Sequence, residues 1–353
     1  MEYRSLLGTI PDGLQASFEA HTLLFKQPSG TSRGILTEKK LWLIRVWSVE
    51  NKTVVGTGEC SVIPGLSPDF STVEHYESEL LEITGNPAHF LRNPHLLSTK
   101  PSLLFGLETA FIDWKNGGKG DFFDTTFSRG ELSIPINGLV WMGSEQFMHE
   151  QIEQKLADGF SCIKMKVGAI DFETEIALLE SIRKRYSADQ ITLRVDANGA
   201  FSLREVDEKL QRLADLDIHS IEQPIAVGQH VALRDLCAHT PLPIALDEEL
   251  IPVYESQERA ALLELVKPQY IILKPSLHGG FLGCLEWIEL AAKNGIPWWM
   301  TSALESNIGL NAIAQFTATF DPVIPQGLGT GGLYETNFET RLVIENGALF
   351  RRK

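Results

Sequence analysis

From about residue 133 onward the chain repeats one pattern: a short apolar run, often closed by a charged residue, then an amphipathic stretch. The runs are SIPINGLVW, SCIKMKV, ITLRVD, HSIEQP, PIALDE, QYIILK, PWWMTS and PVIPQG. Parallel strands need crossovers of a dozen or more residues, usually helical, so this alternation predicts a parallel sheet with helices outside it. Eight strands in roughly 195 residues, about one per 28, suit a (β/α)8-type barrel better than an open doubly wound sheet. No G-x-G-x-x-G follows the first run, which removes the main support for a dinucleotide-binding alternative.

The first third reads as α+β. ASFEAHTLLF (16–25), KLWLIRVWS (40–48) and VVGTGECSV (54–62) have the β-branched and aromatic content of strands. The Pro, Gly and Ser between the first two predict a mobile loop near 27–39. Helices are expected near 72–84 and 102–116, the second with Leu103, Leu104, Leu107 and Phe111 at helical spacing. RLVIENGALF, close to the end, reads as a hairpin turning at Asn346-Gly347 and returning to the N-terminal domain. The expected organisation is an α+β capping domain over 1–130, a barrel over 131–329 and a C-terminal return over 330–353.

In a parallel barrel, catalytic groups sit at the C-terminal ends of the strands. Asp196, Glu222, Asp247 and Lys274 close successive runs, at separations of 26, 25 and 27 residues, so each step is one βα unit and all four ring one mouth. Taken singly, each has an ordinary reading: Asp196 in a capped turn, Glu222 at a strand terminus, Asp247 at a solvated helix start. Taken together, three converging carboxylates repel one another unless a cation joins them. Mg2+, which accepts a few carboxylate oxygens and keeps sites for others, meets that need, with Mn2+ as a substitute. Asn198, two residues after Asp196, is placed to support the ion from behind its ligands.

Lys164 and Lys166 flank Met165 on the second run. Side chains two apart on a strand share a face, so both lysines point into the mouth, towards Lys274, while Met165 faces the helices. A solvated edge strand would also present lysines, but a barrel has no edges, and Cys162, Ile163 and Val167 do not read as exposed. A lysine beside another cation in a partly dry site has a lowered pKa, which suits a general base. Arg194, two before Asp196, faces the same way and is read either as a holder of an anionic group or as a structural salt bridge.

Composition bounds the partners. A formal net charge of -15 argues against nucleic acid, while a small anionic carboxylate substrate needs only a locally positive pocket. No run is long enough to span a bilayer and no signal-like segment opens the sequence, so the cytoplasm is the expected compartment. Cys60, Cys162, Cys237 and Cys284 form no C-x-x-C pair and read as buried thiols. The nine histidines include no H-E-x-x-H, against a zinc hydrolase; His278 reads as a loop residue and Trp298-Trp299 as core.

K-x-K on the second strand, D-A-N-G on the third, E-Q-P on the fourth, D-E on the fifth and LKPSLHGG on the sixth together resemble the enolase superfamily, muconate-lactonizing-enzyme subgroup. The resemblance covers nearly the whole chain and implies a (β/α)7β TIM-like barrel with an N-terminal α+β capping domain. It implies Asp196, Glu222 and Asp247 as Mg2+ ligands, Lys166 as the base that removes a proton alpha to a carboxylate, Lys164 as its neighbour and Lys274 on the opposite face of the substrate. The loops TSALESNIGL, PSGTSRGILTEKK and GTGECSVIPGLSPD resemble those of o-succinylbenzoate synthases. That resemblance implies Mg2+-dependent syn dehydration of 2-succinyl-6-hydroxy-2,4-cyclohexadiene-1-carboxylate through an enediolate, in menaquinone biosynthesis. It makes Ser302, Glu305 and Ser306 candidate substrate contacts. The rival in the same fold is an N-acylamino acid racemase or dipeptide epimerase. Dipeptide epimerases usually carry Asp-x-Asp after the eighth strand, where this chain has IPQGLGTGGLY. A barrel that binds a metal and an acidic ligand without chemistry is the other alternative, and the lysine pair argues against it.

Overall fold

The computed structural model describes residues 3–31 and 34–353. After a short helix α1 (Tyr3–Leu7), three antiparallel strands form the first sheet: β1 (Leu14–Thr31), β2 (Gly34–Ser48) and β3 (Gly56–Ser61), in the order β1-β2-β3. Helices α2 (Val73–Gly85), α3 (Pro87–Arg92) and α4 (Pro101–Lys115) cover it. The expected loop near 27–39 is instead largely ladder: after a register shift between Leu24 and Ser29, pairing resumes at Ser29↔Leu36 and continues to Thr31↔Gly34. Gly and Ser weaken a strand without forbidding it, and backbone pairing here overrides local propensity. Ser32 and Arg33, the tip of that predicted loop, lie outside the described residues.

Helix α4 is buried on all sides from Pro101 to Asp113, because it lies between the cap sheet and the barrel. Against β3 the backbones nearly touch: a Cβ on Gly58 would sit 2.0 Å from the Gly106 carbonyl oxygen, so only glycine fits. On its other side Glu108 reaches into the barrel layer, where its carboxylate accepts from the Phe281 N–H at 2.7 Å and the Leu282 N–H at 3.2 Å.

The chain then forms β4 (Ile134–Pro135) and the parallel strands β5 (Gly138–Val140), β6 (Cys162–Lys166), β7 (Thr192–Asp196), β8 (Ser220–Glu222), β9 (Ile244–Leu246), β10 (Tyr270–Leu273) and β11 (Trp298–Met300), in unbroken sequential order. Helices α5 (Glu145–Ala157), α6 (Phe172–Arg183), α7 (Val206–Ala214), α8 (His230–His239), α9 (Ser256–Val266), α10 (Gly280–Lys293) and α11 (Asn307–Ala318) follow the strands in turn. The eighth barrel position is a link and not a full strand: Gln326 bridges Ile136, and Gly327 bridges Thr301, both in parallel. Pro322 and Pro325 lack the N–H groups a longer ladder would need, and the Gln326 side chain substitutes by accepting from the Met300 N–H at 2.7 Å. The architecture is a (β/α)7β barrel with an α+β cap, as expected.

The C-terminal hairpin, β12 (Leu342–Glu345) and β13 (Ala348–Arg351), turns at Asn346 (φ 50) and Gly347 (φ 70), the left-handed pair that a tight hairpin requires. β13 pairs with β4, and Arg351 donates to the Ser128 carbonyl at 2.7 Å. No helix among the described residues is long and apolar enough to cross a membrane.

Burial pushes the Glu108 carboxyl up to about 8, against the opposing pull of its helix N–H donors. A carboxyl whose pKa is raised on folding gives stability that is complete below the ordinary carboxylate range and is lost as pH rises through the folded value. Glu108→Gln should therefore have a flatter melting temperature than the parent between about pH 5 and pH 9, measured by thermal scans across that window. Parallel curves would show that Glu108 does not titrate there.

Candidate active site

The register of three neighbouring strands places the charged residues side by side: Lys166 pairs with Asp196, and Asp196 with Glu222. Every residue of β6 is buried, with Met165 and Ile163 against the helix layer and the lysines inward, so period two divides this strand as its sequence predicts. Asp196 and Glu222 are at most 1% exposed and Asp247, just after β9, is fully buried. Lys164 lies between two of them, 3.0 Å from Asp196 and in contact with Glu222. Lys166 is 3.0 Å from Asp196, and Lys274 pairs with Asp247 at 2.5 Å. Mouth and cap together enclose a cavity lined by Lys164, Lys166, Lys274, Asp196, Asn198 and Glu248, with apolar walls from Ile63, Leu66, Leu139, Trp141, Leu277 and Leu304.

These contacts reverse one expectation. Burial opposes the charged form of Lys164, but Asp196, Glu222 and Asp247 outweigh it and raise the ammonium pKa above its ordinary value. Lys274 is raised likewise: Asp247 and Glu248 outweigh its burial. In this arrangement Lys164 and Lys274 act as counter-ions to the acids, so Lys164 does not show the depression that a neighbouring ammonium alone would produce. Burial pushes Glu222 up to about 8, with Asp196 and Asp247 adding to it and Lys164 opposing. Asp196 goes the other way, held well below the carboxylate range by Lys164 and Lys166 despite its burial.

Among the described residues no group of three acids is already gathered as a ready metal cage; the ammonium groups stand between them. Two observations nevertheless fit a cation. Glu222 Oε1 and Asp247 Oδ1 are buried without a hydrogen-bond donor. A buried carboxylate oxygen in that state is costly unless a positive charge reaches it.

Asn198 does more than the sequence suggested. At φ 44, a conformation asparagine tolerates, it accepts from Lys166 Nζ at 2.5 Å and donates to Glu248 Oε1 at 2.8 Å. It holds the lysine. Glu248 was missed because the D-E pair reads locally as a ligand followed by a helix start. His278 is no mere loop residue: it is buried, and its Nδ1 accepts from the Lys274 N–H at 2.9 Å. Burial keeps it neutral, its pKa lowered far below the usual histidine range.

Three substrate-contact expectations change. Arg194 points inward but one layer deeper, away from the cavity: its Nη1 donates to the Pro325 carbonyl at 2.8 Å, and its guanidinium lies 4.0 Å from the centre of the Trp299 ring. It has no carboxylate partner among the described residues, so the salt-bridge alternative is not what the structure shows. Glu305 is buried behind the cavity wall, accepting from Ser276 Oγ and the Ala303 N–H, both at 2.6 Å. Ser306 caps α11 and donates to Glu59 of the cap. Ser302 does line the cavity, with Thr330 at 2.5 Å from its hydroxyl.

Residues 148–351 match a family described as enolase C-terminal domain-like, and the chain belongs to that family. Within it, the chain is 45% identical to the o-succinylbenzoate synthase of Desulfotalea psychrophila, over 96% of its own length and 99% of that protein's. The crystal structure of MenC from the same organism superposes with a TM-score of 0.84 at 42% identity, covering 96% of this chain and all of that one. The N-succinylamino acid racemase of Thermus thermophilus is 32% identical over 79% of this chain and 75% of that protein.

If Arg194 braces the barrel closure, Arg194→Met leaves the half-buried Pro325 carbonyl without its donor. That should lower unfolding free energy by about 1–3 kcal/mol in a urea titration, with substrate KM little changed. A raised KM at unaltered stability would return Arg194 to the substrate site.

Proposed function

We propose that this chain dehydrates 2-succinyl-6-hydroxy-2,4-cyclohexadiene-1-carboxylate to o-succinylbenzoate. The observation that carries the reading is 45% identity to an o-succinylbenzoate synthase across nearly the whole of both chains. The cavity is consistent with it. Its ammonium groups suit an anionic substrate, and its apolar walls suit a ring. Gly327, Gly329 and Thr330 line the side where an acid would be needed to hold a substrate ammonium group.

Enzymes of this family generally use Mg2+. In our reading Asp196, Glu222 and Asp247 hold it, with Mn2+ as a substitute, and Asn198 stays behind the ligands as a support for Lys166. When bound, the ion supplies positive charge to offset the charge that grows on the substrate carboxylate as its alpha carbon is deprotonated. The protein does the rest. Lys166, held by Asn198, takes the alpha proton; the same ammonium then returns it to the departing hydroxyl on that face, so water leaves and the ring becomes aromatic. Lys164 and Lys274 supply fixed charge around the reacting carboxylate, Lys274 from the opposite face. The apolar walls keep the field strong by excluding water.

A second reading has a specific relative behind it: proton exchange on an N-succinylamino acid, as the name of the Thermus thermophilus protein states for that enzyme. It would use Lys166 and Lys274 on the two faces of one alpha carbon.

With synthesised cyclohexadiene substrate and Mg2+, the diene absorbance should fall as the aromatic product forms, and a chelator should stop it. No loss of absorbance from folded protein would overturn the dehydratase reading, and wash-in of deuterium at an N-succinylamino acid would then favour the racemase. Lys166→Ala should lower turnover by about 10^3-fold or more, while calorimetric Mg2+ titration still shows binding. Retained turnover would remove Lys166 from the base role.

A further inference from the structure

The seam between cap and barrel is apolar around the cavity, with Leu23, Phe25, Leu41 and Leu43 packed against Leu277, Ala303, Leu304 and Tyr334. Inside it lie three charged side chains that the chemistry above does not use. Lys39 on β2 is 2% exposed, and Glu59 on β3 and Glu305 after β11 are fully buried. Such a trio is expensive. Burial brings the Lys39 ammonium down to about 8 against the pull of Glu305 and Glu59, and raises the Glu305 carboxyl. A hydrophobic seam would dock the domains as well or better, so a buried ion group needs a reason other than adhesion.

Its partners supply one, because nearly all of them belong to a single turn. Lys39 Nζ donates to the Ala303 carbonyl at 3.0 Å, while Glu305 accepts from the Ala303 N–H at 2.6 Å. Both backbone polar groups of Ala303 are thus held by opposite charges, one from each domain. The next residue, Leu304, has φ +62, the left-handed region that is strained for a leucine. Tyr334 donates to the Leu304 carbonyl at 2.6 Å. Glu59 then accepts from the Ser306 N–H at 2.9 Å and the Gly309 N–H at 2.8 Å, which fixes the start of α11. Ser302, Ala303 and Leu304 all line the catalytic cavity.

We propose that Lys39 and Glu305 are positioning residues that clamp the strained Ala303–Leu304 turn across the domain seam, so that cap docking sets the shape of one wall of the substrate cavity. Neither touches the reacting atoms. The clamp acts on substrate binding and leaves proton transfer at Lys166 in place. For its kinetic readout the proposal rests on the dehydratase reading.

Lys39→Met removes the charge and keeps the length. It should raise KM for the cyclohexadiene substrate by about tenfold, with kcat within about threefold of the parent, and Lys39→Arg should recover most of the loss. Should Lys39→Met fail to fold, Glu305→Gln removes the other charge and is expected to give the same split. A lowered melting temperature with KM unchanged would mark the trio as structural only and overturn the proposal. Hydrogen–deuterium exchange checks it without any substrate: the amides of 302–306 should exchange at least about tenfold faster in Lys39→Met, with those of 162–166 unaffected. Equal protection of that turn would overturn the clamp whatever the enzyme acts on. An inactive parent protein with a loosened turn in the variant would instead strike only the dehydratase reading.

Discussion

The molecule is arranged around buried like charge. Asp196, Glu222 and Asp247 stand at the ends of three consecutive strands, almost entirely out of water. At an effective dielectric well below that of water, carboxylates this close cannot all ionise without positive charge beside them. Lys164, Lys166 and Lys274 supply part of it, yet burial, with Asp196 and Asp247 adding to it, still raises the Glu222 carboxyl. Only a rigid frame can hold such groups together. The parallel register of β6, β7 and β8 does so, and a slip of one residue would turn each charge to the helix layer.

The same requirement explains the cap. An open mouth would admit water and weaken every interaction in it, so the cavity needs an apolar roof. Ile63 and Leu66 follow β3, and the long β1–β2 ribbon continues past the sheet to meet the segment after the barrel, where Lys26 N–H donates to the Leu333 carbonyl at 2.9 Å. Glu108 and Glu59 tie the two layers by receiving backbone N–H groups at the starts of α10 and α11. Both accept from helix N-terminal N–H groups that would otherwise lack an intrahelical partner.

What the sequence made legible was the part governed by local rules. Strand periodicity put Lys164 and Lys166 on one face, and a spacing of one βα unit put Asp196, Glu222, Asp247 and Lys274 at one mouth. Period two gives direction but not depth, which is why Arg194 was assigned to the cavity and lies beneath it on Trp299. The loop expected near 27–39 failed for a related reason: Gly and Ser mark weak local preference, and the partner strand decides. Glu305 and Ser306 were expected as substrate contacts because their loop, TSALESNIGL, resembles those of o-succinylbenzoate synthases, yet a left-handed Leu304 redirects the chain between Ser302 and them. Lys39 and Glu59 had no local signal at all, since their partners lie more than 240 residues away.

The lysines alone do not separate a dehydratase from a racemase, because both begin with the same proton. What differs is the next bond. A ring that can aromatise expels its hydroxyl once the alpha carbon is deprotonated, whereas an acylamino acid has only a proton to accept on one face or the other. On the proposed reading the barrel can keep one charge constellation for both outcomes and leave selection between them to the cavity walls, which include Gly327, Gly329, Leu304 and Trp141. These walls belong to loops and to the domain seam, which can vary without disturbing the register that holds the acids. The Thermus thermophilus relative, 32% identical over 79% of this chain, carries the name of that other reaction.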